Sequence, residues 1–171
     1  MGKEKKNPVK VLENYLIKKI GTFNFEDVLS AVRDWCNTYH YDFIEKKRSE
    51  KGTATGKEIY SEFSGSRDVS WYARYHFKVV IWLRNLKTIT VEKDGKKINS
   101  NHGHIEINID TKMEKNYNNS FSKGKGSFGD FLREIYEKYI ADDTLKNYED
   151  QLDDESKDLI KRIKKALNIK T

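Results

Sequence analysis

The sequence predicts an α+β domain: an antiparallel sheet of about five or six strands packed against two or three helices. Three observations lead there. From Trp71 to Leu83 the chain alternates. Trp71, Ala73, Tyr75, Phe77, Val79, Ile81 and Leu83 fall on one side, and Tyr72, Arg74, His76 and Lys78 on the other. A period of two marks a strand with one face on a core and the other toward water. Residues 104–113 repeat the pattern, with Ile105, Ile107, Ile109 and Met113 opposite His104, Glu106, Asn108, Asp110 and Lys112. Two further stretches, 25–39 and 128–140, space their apolar residues three and four apart, which is helical.

The elements follow in order. The first segment supports two readings. Asn7 and Pro8 suit an N-cap and first helical position, and Val9, Leu12, Leu16 and Ile20 recur at helical spacing. Tyr15 to Phe23 reads equally as a strand leading into the next helix. That helix is capped by Asn24, with Phe23 and Val28 placed as a hydrophobic staple. Its apolar stripe is Phe25, Val28, Leu29, Val32, Trp35, Cys36 and Tyr39.

Tyr41 to Lys47 reads as a strand, followed by a polar turn around Lys51-Gly52 and Thr55-Gly56. Ile59 to Phe63 begins another strand, broken near Gly65. The long strand from Trp71 turns apolar on both faces at Val80 and Trp82, so a covering layer is expected there. Thr88 to Lys93 then leads to Asp94-Gly95, a two-residue hairpin turn, because both positions accept positive φ. Asn101 to Gly103 reads as a turn before the second alternating strand.

Ser127 caps a helix with Asp130 three residues on, and Phe128, Phe131, Leu132, Ile135, Tyr136, Tyr139 and Ile140 form its stripe. A last helix, 144–167, carries Leu145, Tyr148, Leu152, Leu159, Ile163 and Leu167 among many charges. The organisation is a basic N-terminal segment (1–14), an α+β domain (15–141), and a charged C-terminal helix (142–171) that packs on the domain or extends from it.

Composition bounds the function. At 171 residues with 12% aromatic side chains, the chain suits one folded domain despite 35% charged residues. The single cysteine, Cys36, excludes an internal disulfide and is expected to be a buried, inert thiol. Residues 1–6 lead into no apolar stretch, and the best apolar run, Val79 to Leu83, is far short of a membrane span. A soluble cytoplasmic protein is expected. The net charge of +6 sits mainly at the ends: residues 1–20 carry +4, 141–158 carry −6, and 159–171 carry +5.

Four motifs stand against bland explanations. Gly124 to Gly129 matches G-x-G-x-x-G before a helix, but no buried parallel strand precedes it, so a dinucleotide site is not expected. Lys123 and Lys125 there remain candidates for an anion contact. Gly52 to Glu58 has the look of a phosphate loop, yet it has three residues between its glycines and Glu58 where Ser or Thr would bind magnesium. His102 and His104, with Glu106 beyond, are weak candidates for a metal, since any solvent face of a strand collects polar residues. No cofactor is expected. His40 and His76 have no acid–nucleophile partner at a recognisable spacing. Finally, Tyr72, Arg74, His76 and Lys78, with Trp82, form an aromatic and basic face of the kind that stacks bases and tracks phosphates.

The succession Asp34-Trp35, Tyr41-Asp42-Phe43, Trp71-Tyr72-Ala73, Asp94-Gly95-Lys96-Lys97, Gly103 to Ile107 and Phe131 to Tyr139 resembles a family of small archaeal proteins of unknown function. The resemblance spans roughly residues 15–150 and implies no activity. The expected function is a non-enzymatic interaction protein, a self-associating subunit, with homo-oligomer or other protein as partner. The last helix, acidic in its first half and basic in its second, offers antiparallel pairing between copies. The alternative is a nucleic-acid-binding domain using the Tyr72–Lys78 face.

Overall fold

The computed structural model describes residues 8–121 and 127–170. Strands β1 (Val9–Phe23), β2 (Asp42–Thr53), β3 (Gly56–Asp68), β4 (Ala73–Lys93) and β5 (Lys96–Lys115) form one antiparallel sheet in the order β1-β5-β4-β3-β2. Helix α1 (Phe25–Thr38) connects the two edge strands. After β5 come α2 (Ser127–Ile135), a π turn (Tyr136–Ile140) and α3 (Asp142–Ala166). Helices α1 and α3 pack together on one face of the sheet, and no described helix covers the other, here called the open face.

The core is where the alternation placed it. Ala73, Tyr75, Phe77, Val79, Ile81 and Leu83, with Ile105, Ile107, Ile109 and Met113, turn inward onto α1 and α3. Trp35 lies on Tyr41 at 4.6 Å between ring centroids and meets the edge of Phe77 at 5.2 Å. Helix α3 contributes Leu145, Leu152, Leu159, Ile163 and Leu167. Its two buried hydroxyl neighbours are satisfied: Thr111 Oγ1 lies 2.8 Å from Ser156 Oγ, which in turn donates to the Leu152 carbonyl at 2.6 Å.

Local signals explain the joints. The Asn24 side chain accepts from the Glu26 N–H at 3.0 Å, and Phe23 and Val28 are both buried behind it. Asp94 and Gly95 have φ of 52° and 75°, which closes the β4–β5 hairpin.

The first segment is a strand, and the helical spacing there is coincidental. Register shifts between Lys10 and Leu12 and between Leu12 and Tyr15, with Asn14 at φ 52°, put extra residues into β1. Ile17 therefore faces the core, while Leu16 and Ile20 of the supposed helical stripe are 49% and 73% exposed.

Four boundaries also move. β2 runs through Lys51-Gly52 to Thr53, so the expected turn there is strand. β3 runs through Gly65 to Asp68 without a break. β4 and β5 are single long strands, so the gap after Arg84 and the turn at Asn101–Gly103 are both absent. A bulge at Asn85 (φ 52°) lets Leu83 and Leu86 both point inward while the strand continues. Gly103 serves that bulge: a Cβ on it would lie 2.9 Å from the Arg84 carbonyl oxygen. Gly56 does the same from β3, its missing Cβ 2.8 Å from the Asn85 carbonyl carbon.

Candidate functional site

The aromatic and basic face is not what the alternation implied. Tyr72 precedes β4 in a tight turn held by Ser70, whose Oγ accepts from the N–H groups of Tyr72 and Ala73 at 3.2 and 3.1 Å. The turn swings Tyr72 inward, where it is 2% exposed and its hydroxyl donates to Glu137 of the π turn. Burial first, and then the Glu137 carboxylate, drive its phenol pKa far upward. Tyr72 is thus a member of a ring cluster with Trp71, Phe121 and Tyr136, and offers no ring face to a base. Trp71, expected inside, is exposed instead.

Arg74, His76 and Lys78 do lie on the open face, each beside a carboxylate. Arg74 Nε donates to Asp68 at 2.5 Å, His76 Nε2 lies 2.8 Å from Glu114, and Lys78 Nζ lies 3.4 Å from Glu62. The Arg74 hydrogen bond holds the Asp68 carboxyl below its usual range. The covering layer expected over Val80 and Trp82 is not found among the described residues. Trp82 stays 44% exposed, with the Arg84 guanidinium 4.8 Å above its ring centre. Lys123, Lys125 and the glycine-rich run around them, with the Ser127 side chain and residues 1–7, lie outside the described residues.

His102 and His104 project from β5 toward the open face. His102 Nδ1 lies 3.4 Å from Thr22 Oγ1. Glu106, the carboxylate that would complete a metal set, is engaged by Arg84 and by Lys18 at 3.6 Å. Among the described residues no three His, Cys, Asp or Glu side chains are grouped to hold a metal. Cys36 is fully buried in α1, and burial pushes its thiol pKa up to about 12.

Two features escaped sequence reasoning. One is a polar cluster between α3 and the sheet: the Glu155 carboxylate meets Arg67 of β3 and accepts from the Tyr41 hydroxyl at 2.8 Å. A cavity of about 500 Å³ opens beside it, lined by Tyr39, His40, Asp150 and Asp154 among others. The other is the α2–π segment. Its stripe was expected to sit on the sheet, yet Phe128, Phe131, Leu132, Tyr139 and Ile140 are 40% to 72% exposed. Only Ile135 and Tyr136 of that stripe are partly covered. The segment is held through the Tyr72 ring cluster and through Glu137, which Lys115 also reaches at 3.0 Å. The π turn lets this edge be fastened while the apolar side faces out.

The chain matches no family model and no curated protein. Among the described residues no helix is long and apolar enough to cross a membrane.

Proposed function

We propose that this chain is a non-enzymatic interaction protein that self-associates, two copies meeting through the outward apolar side of α2 and the π turn. The observation that carries this reading is the exposure of five large apolar side chains on one short segment, Phe128, Phe131, Leu132, Tyr139 and Ile140. Contiguous apolar surface of that kind is uncommon on a protein that stays single. A two-fold contact uses the same patch on both partners, and these residues supply the dry centre such a contact needs.

The other routes to assembly are less favourable. The edge strand β2 carries Glu45, Lys46, Lys47, Arg48, Glu50 and Lys51, and charge on an edge opposes strand-to-strand addition. Helix α3 spends its apolar stripe on its own core, and its charges pair along the helix, as in Lys146–Asp142 and Arg162–Asp158, both at 2.8 Å. The acidic and basic halves then adjust register at most. The paired state of Arg74, His76 and Lys78, and the burial of Tyr72, leave the nucleic-acid reading with less support.

Sedimentation at micromolar concentration tests the proposal. The wild type is expected to run as a dimer or larger, and Phe131→Glu with Tyr139→Glu as a monomer of unchanged circular dichroism. A wild type that stays monomeric across that range, or a double variant that still associates, overturns it.

A further inference from the structure

The β4–β5 hairpin outruns the rest of the sheet. β3 accompanies β4 no further than Leu86, opposite Lys57, and β1 leaves β5 at Asn101, opposite Phe23. The two strands go on pairing alone to Lys93 and Lys96, on either side of the Asp94-Gly95 turn. At about 3.3 Å per residue this arm is roughly 20 Å long. A hairpin without a third strand is marginal in water, so its own cross-strand pairs must hold it. Val91 directly faces Ile98, with Ile89 beside them on the same face, and β-branched pairs of this kind stabilise a ribbon.

The other face of the arm is polar and exposed. Thr88, Thr90, Asn99 and Lys97 share it, with Glu92 opposite Lys97. At the tip Lys93 stands directly opposite Lys96, a like-charge pair that weakens a hairpin unless something negative lies against it. Residues 87–102 hold Lys87, Lys93, Lys96 and Lys97 against two acids, Glu92 and Asp94. None of these four lysines makes an ion pair among the described residues. Arg74, His76 and Lys78, by contrast, each lie beside a carboxylate.

We propose that this arm binds double-stranded DNA, lying in the major groove with Thr88, Thr90 and Asn99 toward the base edges and its lysines on the flanking phosphates. The B-form major groove, about 12 Å wide, admits a two-stranded ribbon, whereas that of an RNA duplex is too narrow for side chains to read. Thr and Asn side chains both donate and accept hydrogen bonds there, and Lys97 donates. The arm shares no residue with the Tyr72–Lys78 face or with the apolar surface of α2.

Fluorescence anisotropy with a labelled DNA duplex of about two helical turns tests this. Binding is expected at low salt and should weaken steeply as salt rises. Lys93→Glu, Lys96→Glu and Lys97→Glu together should weaken it about tenfold or more with unchanged circular dichroism. The matching triple change to Gln, which removes the charges without reversing them, should act in the same direction. Thr90→Val with Asn99→Val keeps every charge and suits a strand, and should weaken binding about threefold, which contact with phosphates alone would not produce. In the Phe131→Glu with Tyr139→Glu background the arm changes should cause the same loss, so the result does not depend on self-association through α2. The proposal falls if the duplex does not bind at low salt, if any of the arm variants binds like wild type, if an RNA duplex of the same sequence binds equally well, or if poly-glutamate displaces the DNA.

Discussion

Arg67 on β3 and Glu155 on α3 form an ion pair inside the protein, 88 residues apart in sequence. The guanidinium lies 5.3 Å from the Tyr41 ring centre and 5.2 Å from that of Tyr75. Trp35 Nε1 donates to the Glu155 backbone carbonyl at 2.8 Å, and Gln151 Nε2 reaches the carboxylate at 3.3 Å. One acidic residue thereby joins α1, β3 and α3 to Tyr41, the residue just ahead of β2.

Breaking that pair from one side should be costly. Glu155→Ala strands the Arg67 guanidinium and removes the acceptor of the Tyr41 hydroxyl, and is expected to cost about 3 kcal/mol. Arg67→Met with Glu155→Met, which leaves no lone charge, should cost less than the two single changes together. Denaturant unfolding measures both; a Glu155→Ala variant within about 1 kcal/mol of wild type would contradict the role assigned to it.

Alkaline pH should unfold the protein. Burial raises the pKa values of Tyr41, Tyr72 and Tyr75 above the ordinary tyrosine range, and that of Cys36 to about 12. The folded state therefore keeps protons that the unfolded chain releases above about pH 9–10. Stability is full below that pH and falls as pH climbs through the raised values. Absorbance at 295 nm should show these three tyrosines ionising only as the fold is lost, and Ellman's reagent at pH 8 should modify Cys36 no faster than the protein unfolds. Smooth titration of every tyrosine near pH 10 in a folded protein would refute this.

Gly65 sits where β2 and β4 crowd β3. A Cβ there would lie 2.3 Å from the Asp42 carbonyl oxygen and 2.6 Å from Phe77 Cε1. Gly65→Ala is expected to destabilise by about 1–3 kcal/mol, through strand displacement more than side-chain loss. Faster amide exchange along β2 is the accompanying signature, and normal exchange there would argue against it.

Tyr72→Phe should act on stability and not on binding. It removes the hydroxyl that donates to Glu137, leaving that carboxylate to Lys115, at an expected cost of about 1–2 kcal/mol. Because no face of the ring meets solvent, any oligonucleotide binding at low salt should be the same in the variant. A variant as stable as wild type but altered in oligonucleotide binding would return Tyr72 to the surface.

Patterns set by neighbours in sequence proved readable, and those set by partners across the fold did not. The inward alternation of β4 and β5, the Asn24 cap and the Asp94-Gly95 turn each depend on residues a few positions apart. β1 was ambiguous because its bulges break the period that identifies a strand, and nothing short of its pairing with β5 shows where extra residues are absorbed. Tyr72 misled because the alternation was carried one residue past the start of β4 into a turn.

The amino-acid sequence by itself determined the class of fold, the buried faces of the two long strands, and the α1 helix with its stripe, because hydrophobic periodicity and capping act locally. Only the tertiary structure decided which amphipathic face meets the core. The Phe128–Ile140 stripe has the same spacing whether it packs inward or, as here, faces out. The Arg67–Glu155 pair, and the stretch of the β4–β5 hairpin left without flanking strands, are likewise defined only once strands and helices distant in the chain are brought side by side.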